Sequence, residues 1–429
     1  MLTGVPLFLL QLVVILASAV LLGRLACRFG QPAIVGELAA GVLLGPSVLG
    51  RLAPDWAAWL PRPGSGALID AVAQLGLLLL VGLTAAELDL GRLRAQAGTL
   101  ARVSAWALLL PLALGAAAGF VAPAVLLGPA ADRGMFAAYL GVALSVTAIP
   151  VISRTLTDLN LLGHRVGQIT LASGAVQDAV AWVLLAVVGA VATQGGGART
   201  VGMPVLWLAV MALVALALRP LARRVLSEAD QAPAMTTAAV VIITGALAAH
   251  LAGLEPVVGA FVAGLVAGAA RGAGARHLTG LRTVVVAVLA PVFLAFAGLH
   301  LDLAALADPV VALTAAGLLA LAVAGKLAGG YLGARTSGIP RWESFAIGAG
   351  LNSRGLIEIV VATVGLRLGI LTPAAYSIIV LIAVATSLMA PPLLRAAFAR
   401  APRTERKGER HGRDESERDH PDLHRPGNR

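Results

Sequence analysis

One aspartate, Asp178, lies in the middle of the apolar run LASGAVQDAVAWVLLA, one turn after Gly174 and one turn before Trp182. A carboxylate removed from water is costly as a bare anion, so it holds either a proton or a partly dehydrated cation, and the two compete for the same oxygens. Thr170, Ser173, Gly174, Gln177, Asp178 and Ala181 recur at helical spacing. That small, polar stripe suits a water-filled path better than contact with hydrocarbon. The plainer alternative is a buried aspartate that anchors its helix by packing or hydrogen bonding.

Four further places carry polar chemistry inside apolar surroundings. In SVTAIPVISRTL, Pro150 removes a backbone donor and its ring clashes with the carbonyl of Val146, so regular helix loosens between Ser145 and Ile149. The carbonyls freed there, with the hydroxyls of Ser145 and Thr147, suit a cation as a ligand set, and a proline kink that holds no ligand is the alternative. In GAGLNSRGLIEIVVATVG, Gly348, Gly350, Asn352, Ser353 and Gly355 weaken the helix, while Arg354 and Glu358 stand four residues apart and face each other as a charge pair. Pairing lowers the cost of holding both charges away from water, and a place for Glu358 on an ion route is the alternative. Lys326, in LAVAGKLAGGYLGAR, compensates an ionised Asp178, releases its own proton, or snorkels toward the surface near Arg335. Glu37, in QPAIVGELAAGVLLGP, lines a cytoplasmic entrance or sits at the interface.

These residues need elements to hold them, and the composition says what kind. The chain of 429 residues is 59% hydrophobic and only 13% charged, about half the charged share of an ordinary soluble domain. Apolar stretches of roughly 20 residues, long enough to cross a bilayer, recur from Val5 to Ala397. The expected class is therefore an all-α integral membrane protein with about thirteen spans, at 5–23, 32–50, 67–87, 99–122, 134–155, 164–193, 202–221, 234–252, 255–270, 281–299, 309–333, 341–365 and 373–397. Gly contributes 49 positions, mostly within the apolar runs, which lets helices approach closely. Short alternating segments of the kind a transmembrane barrel needs are absent. The first span lacks the charged start and small-residue cleavage site of a signal peptide. The single cysteine, Cys27, excludes an intramolecular disulfide and a cysteine-rich metal cluster. No catalytic constellation or cofactor motif stands out, so an enzyme is not expected, nor any metal beyond a transported cation.

The net charge of +10 follows the membrane rather than a nucleic acid. Connections after odd-numbered spans hold seventeen arginines and those after even-numbered spans hold five. Such a bias places the N-terminus outside and the C-terminus in the cytoplasm. Residues 1–400 read as one transmembrane domain and 401–429 as a disordered charged tail, with eight basic and seven acidic residues and little to bury. Its His411, His420 and His424 match no defined metal site.

At VGELAAGVLLGPSVLG, SVTAIPVISRTLTDLNLLGHRVGQITLASGAVQDAVAW, GAFVAGL, PVFLAFAGLHLDL and GLNSRGLIEIVVATVGLRLGIL, in that order, the chain resembles the monovalent cation:proton antiporter-2 family from about residue 5 to 397. The resemblance implies the sodium/proton antiporter fold, with inverted repeats, a dimerisation domain and an ion-carrying core that moves in an elevator-like fashion. It implies two discontinuous helices crossing beside the essential carboxylate. Thr147 to Pro150 matches the first interruption and Asn352 to Gly355 the second, while the aspartate carries over to Asp178 and the nearby base to Lys326. It also implies a homodimer that exchanges Na⁺ or K⁺ for H⁺ in a cell membrane. Gln177 departs from the paired acids of electrogenic relatives and from the Asn-Asp of many electroneutral ones, which points to one cation per proton; Gln-Asp also resembles the potassium efflux branch. A channel-like potassium pathway gated by a separate subunit is the rival expectation. Residue types leave both Na⁺ and K⁺ open, because selectivity rests on sub-ångström coordination geometry.

Overall fold

Apolar runs decide which segments become helices here, and a few short polar side chains decide where those helices begin. Asp132 accepts from the backbone N–H of Met135 at 2.7 Å, and Asp308 from that of Val310 at 2.7 Å with Pro309 in the first turn. The computed structural model describes residues 4–53, 55, 60, 68–86, 97–147, 152, 156, 161, 164–194, 198–228, 230–268 and 278–400. In chain order the helices are α1 (Val5–Arg28), α2 (Ala33–Leu44), α3 (Leu49–Leu52), α4 (Leu68–Ala86), α5 (Ala97–Val121), α6 (Arg133–Ser145), α7 (Arg165–Gln194), α8 (Ala198–Glu228), α9 (Gln231–Leu251), α10 (Pro256–Ala267), α11 (Thr279–Leu299), α12 (Pro309–Arg335), α13 (Arg341–Leu351), α14 (Leu356–Arg367) and α15 (Pro373–Arg400). Within α11, Pro291 offers no N–H to the carbonyl of Ala287, and the preceding turn widens to π geometry over Val285–Leu289.

Ten described helical stretches are long and apolar enough to cross a membrane. They occupy ten of the spans expected from sequence. The other three take shorter forms. Over 134–155 the helix α6 stops at Ser145, and Pro150 with the charged tail 401–429 lies outside the described residues. Over 255–270 the helix α10 has only 12 residues before Gly268. Over 341–365 there are two half-helices, α13 and α14, with Asn352–Gly355 between them.

The helices sort into two bundles. One is built from α5, α6, α7, α12, α13, α14 and α15, with α5 packed on both α6 and α12, and α13 on both α12 and α15. The other is built from α1, α2, α4, α8, α9, α10 and α11, with α10 packed on α4, α8 and α9, and α11 on α1, α2 and α4. Glycines allow the tightest crossings in each. A Cβ on Gly264 of α10 would overlap the Gly82 carbonyl of α4, and one on Gly330 of α12 would overlap Gly348 of α13. Between the bundles the contacts are sparser and fall mainly between the consecutive helices α7 and α8, with smaller ones between α7 and α10 and between α11 and α14. Many side chains on α8 face outward, among them Leu206, Leu213, Leu216 and Leu221, as suits a helix bathed in hydrocarbon.

Candidate functional site

Two helix ends meet at the middle of the first bundle. Helix α6 stops at Ser145, whose hydroxyl turns back to the carbonyl of Val142 at 2.8 Å; Val146 is extended and Thr147 follows outside the helix. Opposite, α13 closes with Asn352, Ser353 to Gly355 run without helical structure, and α14 starts at Leu356. A helix that ends inside protein leaves carbonyls without partners. Here Arg354 supplies the partners. Its guanidinium donates to the carbonyls of Leu144 (2.6 Å) and Ala143 (3.3 Å) at the end of α6 and to that of Ala322 (3.3 Å) on α12. The same guanidinium meets the Glu358 carboxylate at 3.1 Å, with both side chains fully buried. The hydroxyl of Ser387, on α15, donates to the backbone carbonyl of Arg354 and fixes the non-helical stretch from behind. Tyr139 of α6 donates to the carbonyl of Val361 on α14 at 2.6 Å, so the two interrupted elements are joined on both sides of the break.

Helix α7 brings Asp178 to this place. Thr170, Ser173, Gln177, Asp178 and Ala181 are all buried, so the stripe faces protein rather than lipid. Thr170 lies against Gly350 of α13, and the carbonyl of Ser173 accepts from Ser104 of α5 at 3.3 Å. Lys326, fully buried on α12, donates to the hydroxyl of Thr147 (2.6 Å) and to the amide oxygen of Gln177 (2.7 Å). Thr147 in turn donates to the same amide oxygen at 3.2 Å, and the Gln177 amide nitrogen donates to the Ser173 carbonyl at 3.2 Å. The ammonium is thus held by neutral oxygens rather than by the carboxylate next along the helix.

Of the two acids in this cluster, Glu358 is held by Arg354 and Asp178 is reached by no hydrogen bond. Both of its carboxylate oxygens are buried without a hydrogen-bond partner. Side-chain atoms of Ser173, Asn352 and Ser353, and one oxygen of Glu358, share that condition. An unpartnered carboxylate in a dry interior demands neutralisation by a proton or a cation. The charge of the neighbouring Lys326, held by Thr147 and Gln177, opposes either positive occupant by like-charge repulsion.

The structure brings Asp178, Gln177, Thr147, Lys326, Arg354 and Glu358 into this bundle, with Ser145, Asn352 and Gly355 at the two helix ends. Glu37 is elsewhere. It lies half-buried on α2 beside Gly23 of α1, in the second bundle. Sequence reading missed Ser387 and Tyr139, because each acts on backbone far away in the chain and neither carries a local signature. It also passed over an ion pair between Glu255 and Arg367, 3.4 Å apart, which joins the start of α10 to the end of α14.

Residues 14–400 match the family described as "Sodium/hydrogen exchanger, transmembrane". Cation/H(+) antiporter 20 of Arabidopsis thaliana is 30% identical over an alignment of 430 residues, which covers 94% of this chain and 50% of the plant protein. The Na(+)/H(+) antiporter NhaS4 of Synechocystis is 29% identical, with 90% of this chain and 96% of that protein aligned. The Na(+)/H(+)-K(+) antiporter GerN of Bacillus cereus is 28% identical, with 91% and 96% aligned. The chain thus spans about half the length of the plant relative and nearly all of the two bacterial ones. In three dimensions it is similar to the sodium proton antiporter MjNhaP1 of Methanocaldococcus jannaschii, with a TM-score of 0.67 at 18% identity over 91% of this chain and 96% of that one, a likeness of fold.

Proposed function

Since the chain belongs to the sodium/hydrogen exchanger transmembrane family, we propose that it is a secondary active antiporter that exchanges Na⁺ or K⁺ for H⁺ at Asp178. The observation that carries this reading is the pair of partnerless, buried oxygens on Asp178, set beside an ammonium already engaged by Thr147 and Gln177. A cation from the cytoplasm binds the carboxylate, with oxygens at the end of α6, Ser145, Thr147 and Gln177 as further ligands. Reorientation of the first bundle carries the site to the outer face, where protons displace the cation. The protonated carrier returns, and an inward proton gradient drives cation efflux. No bond in a substrate is made or broken.

Lys326 limits the charge the site accepts. With Gln177 neutral, Asp178 is the one acid of the adjacent pair, and one cation for one proton is the simplest balance. The sparse contact between the two bundles supports a carrier whose halves move against each other. The relatives are named as antiporters, which favours coupled exchange over a gated channel. We place the protein in a cell membrane as a homodimer, with its N-terminus outside and its C-terminus in the cytoplasm, on the arginine bias of the connections.

The test is reconstitution into proteoliposomes with a pH-sensitive dye inside. Addition of Na⁺ or K⁺ should drive proton movement in the parent protein. Asp178→Asn should insert normally and lose that movement entirely. Exchange retained in the variant would remove Asp178 from the centre of the cycle.

A further inference from the structure

The Glu255–Arg367 pair is set apart by where its two members belong. Glu255 is the residue before α10, in the second bundle, and Arg367 is the last residue of α14, in the first. The two side chains approach to 3.4 Å, with Glu255 mostly covered at 14% exposure and Arg367 exposed at 36%. The Arg354–Glu358 pair, by contrast, lies within one bundle.

Each member is tied to its own body, Glu255 through its carbonyl, which accepts from the N–H of Val258 in the first turn of α10 at 3.0 Å. Arg367 closes the half-helix that starts at the Asn352–Gly355 break. The turn after it is tied to the connection between α5 and α6, with Gly128 donating to the Ile370 carbonyl at 2.9 Å and Ala130 to the Gly369 carbonyl at 3.0 Å. Glu255 lies over the far end of α7, the helix of Asp178, with its side chain next to Gly189, and Leu368 borders the same spot. The connections that meet here follow the fourth, sixth, eighth and twelfth expected spans, all from the arginine-poor set. The pair therefore sits at the outer mouth of the seam between the bundles.

We propose that Glu255 and Arg367 form a latch across this outer seam, closed while Asp178 is reached from the cytoplasm and released when the bundles part to the outside. The proposal rests on the antiport reading for its role in a cycle. A contact made in one orientation and lost in the other shifts the balance between them by its own strength, without touching the transported ion. His250, in the last turn of α9, is near enough for its charge to act on Glu255. Burial pushes the Glu255 carboxyl above the usual range, with Arg367 and His250 pulling it back.

A cysteine reporter tests the latch without transport. In a Cys27→Ser background, Leu368→Cys is labelled from the outer face by a membrane-impermeant maleimide. Glu255→Gln and Arg367→Gln, one in each bundle, should each raise the labelling rate several-fold, and the charge swap Glu255→Arg with Arg367→Glu should return it to the parent value. Unchanged labelling in both single variants, or additive effects in the swap, would overturn the proposal. In proteoliposomes, the single variants should lower the half-saturating cation concentration at the outer face and raise it at the inner face. If the parent protein shows no exchange at all, the antiport reading fails, and the labelling rates still decide the latch.

Discussion

Arg354 reaches four acceptors on three helices from a fully buried position: the carbonyls of Ala143, Leu144 and Ala322 and the carboxylate of Glu358. Loss of one member of a buried ion pair costs about 3–5 kcal/mol, because the remaining charge is left unpaired. Arg354→Met should therefore lower the thermal midpoint in detergent sharply, while Arg354→Met with Glu358→Leu recovers much of the loss. A melting series over the two singles and the double checks this, and a double variant no more stable than Arg354→Met would rule out the pair as the source. The charge pair itself was legible in the sequence, since four-residue spacing on a helix puts two side chains on one face. Its other three partners were not, because no local pattern announces which carbonyls a guanidinium will reach across 32 or more positions of chain. Lys326 shows the same divide. Its apolar surroundings marked it as unusual, but the attachment to Thr147 and Gln177 is a matter of the end of α6 meeting the middles of α7 and α12.

At the scale of elements, the interruption between α13 and α14 followed from composition. Glycines with Asn352 and Ser353 form a stretch in which helical hydrogen bonds are poorly supported, and the helix stops there. Ser387 holds that stretch in place through the carbonyl of Arg354. Removal of a buried donor leaves its acceptor unsatisfied at about 1–3 kcal/mol. Ser387→Ala should thus slow exchange and lower stability moderately, whereas Ser387→Thr, which keeps the hydroxyl, should restore both. Rates in proteoliposomes alongside detergent melting curves separate this from a packing effect, in which Thr would be the worse substitution. The length of α10 was less legible. An apolar run from 255 to 270 is long enough to suggest a full span, and only the three-dimensional packing of Gly259 and Gly264 against α9 and α4 explains how a 12-residue helix is held among longer ones.

For the whole molecule, hydropathy located ten long helices to within a few residues and predicted an all-helical membrane protein. Hydropathy does not say which helices travel together, since every apolar face reads alike. The division into two bundles emerges from the contacts, and it explains why Glu37 and Asp178, both acids in apolar runs, end up in separate bodies. One more consequence follows from the strut that Arg354 makes between α6, α12 and α14. Because these elements are pinned to one another, the coordination shell proposed around Asp178 should travel as a single piece and keep its dimensions in both orientations. The preference between Na⁺ and K⁺ should therefore be the same from either side of the bilayer. Competition experiments in oriented vesicles, with each cation offered in turn at the inner and the outer surface, should give matching ratios, and ratios that differ by about ten-fold or more would mean that the shell is rebuilt on the way across.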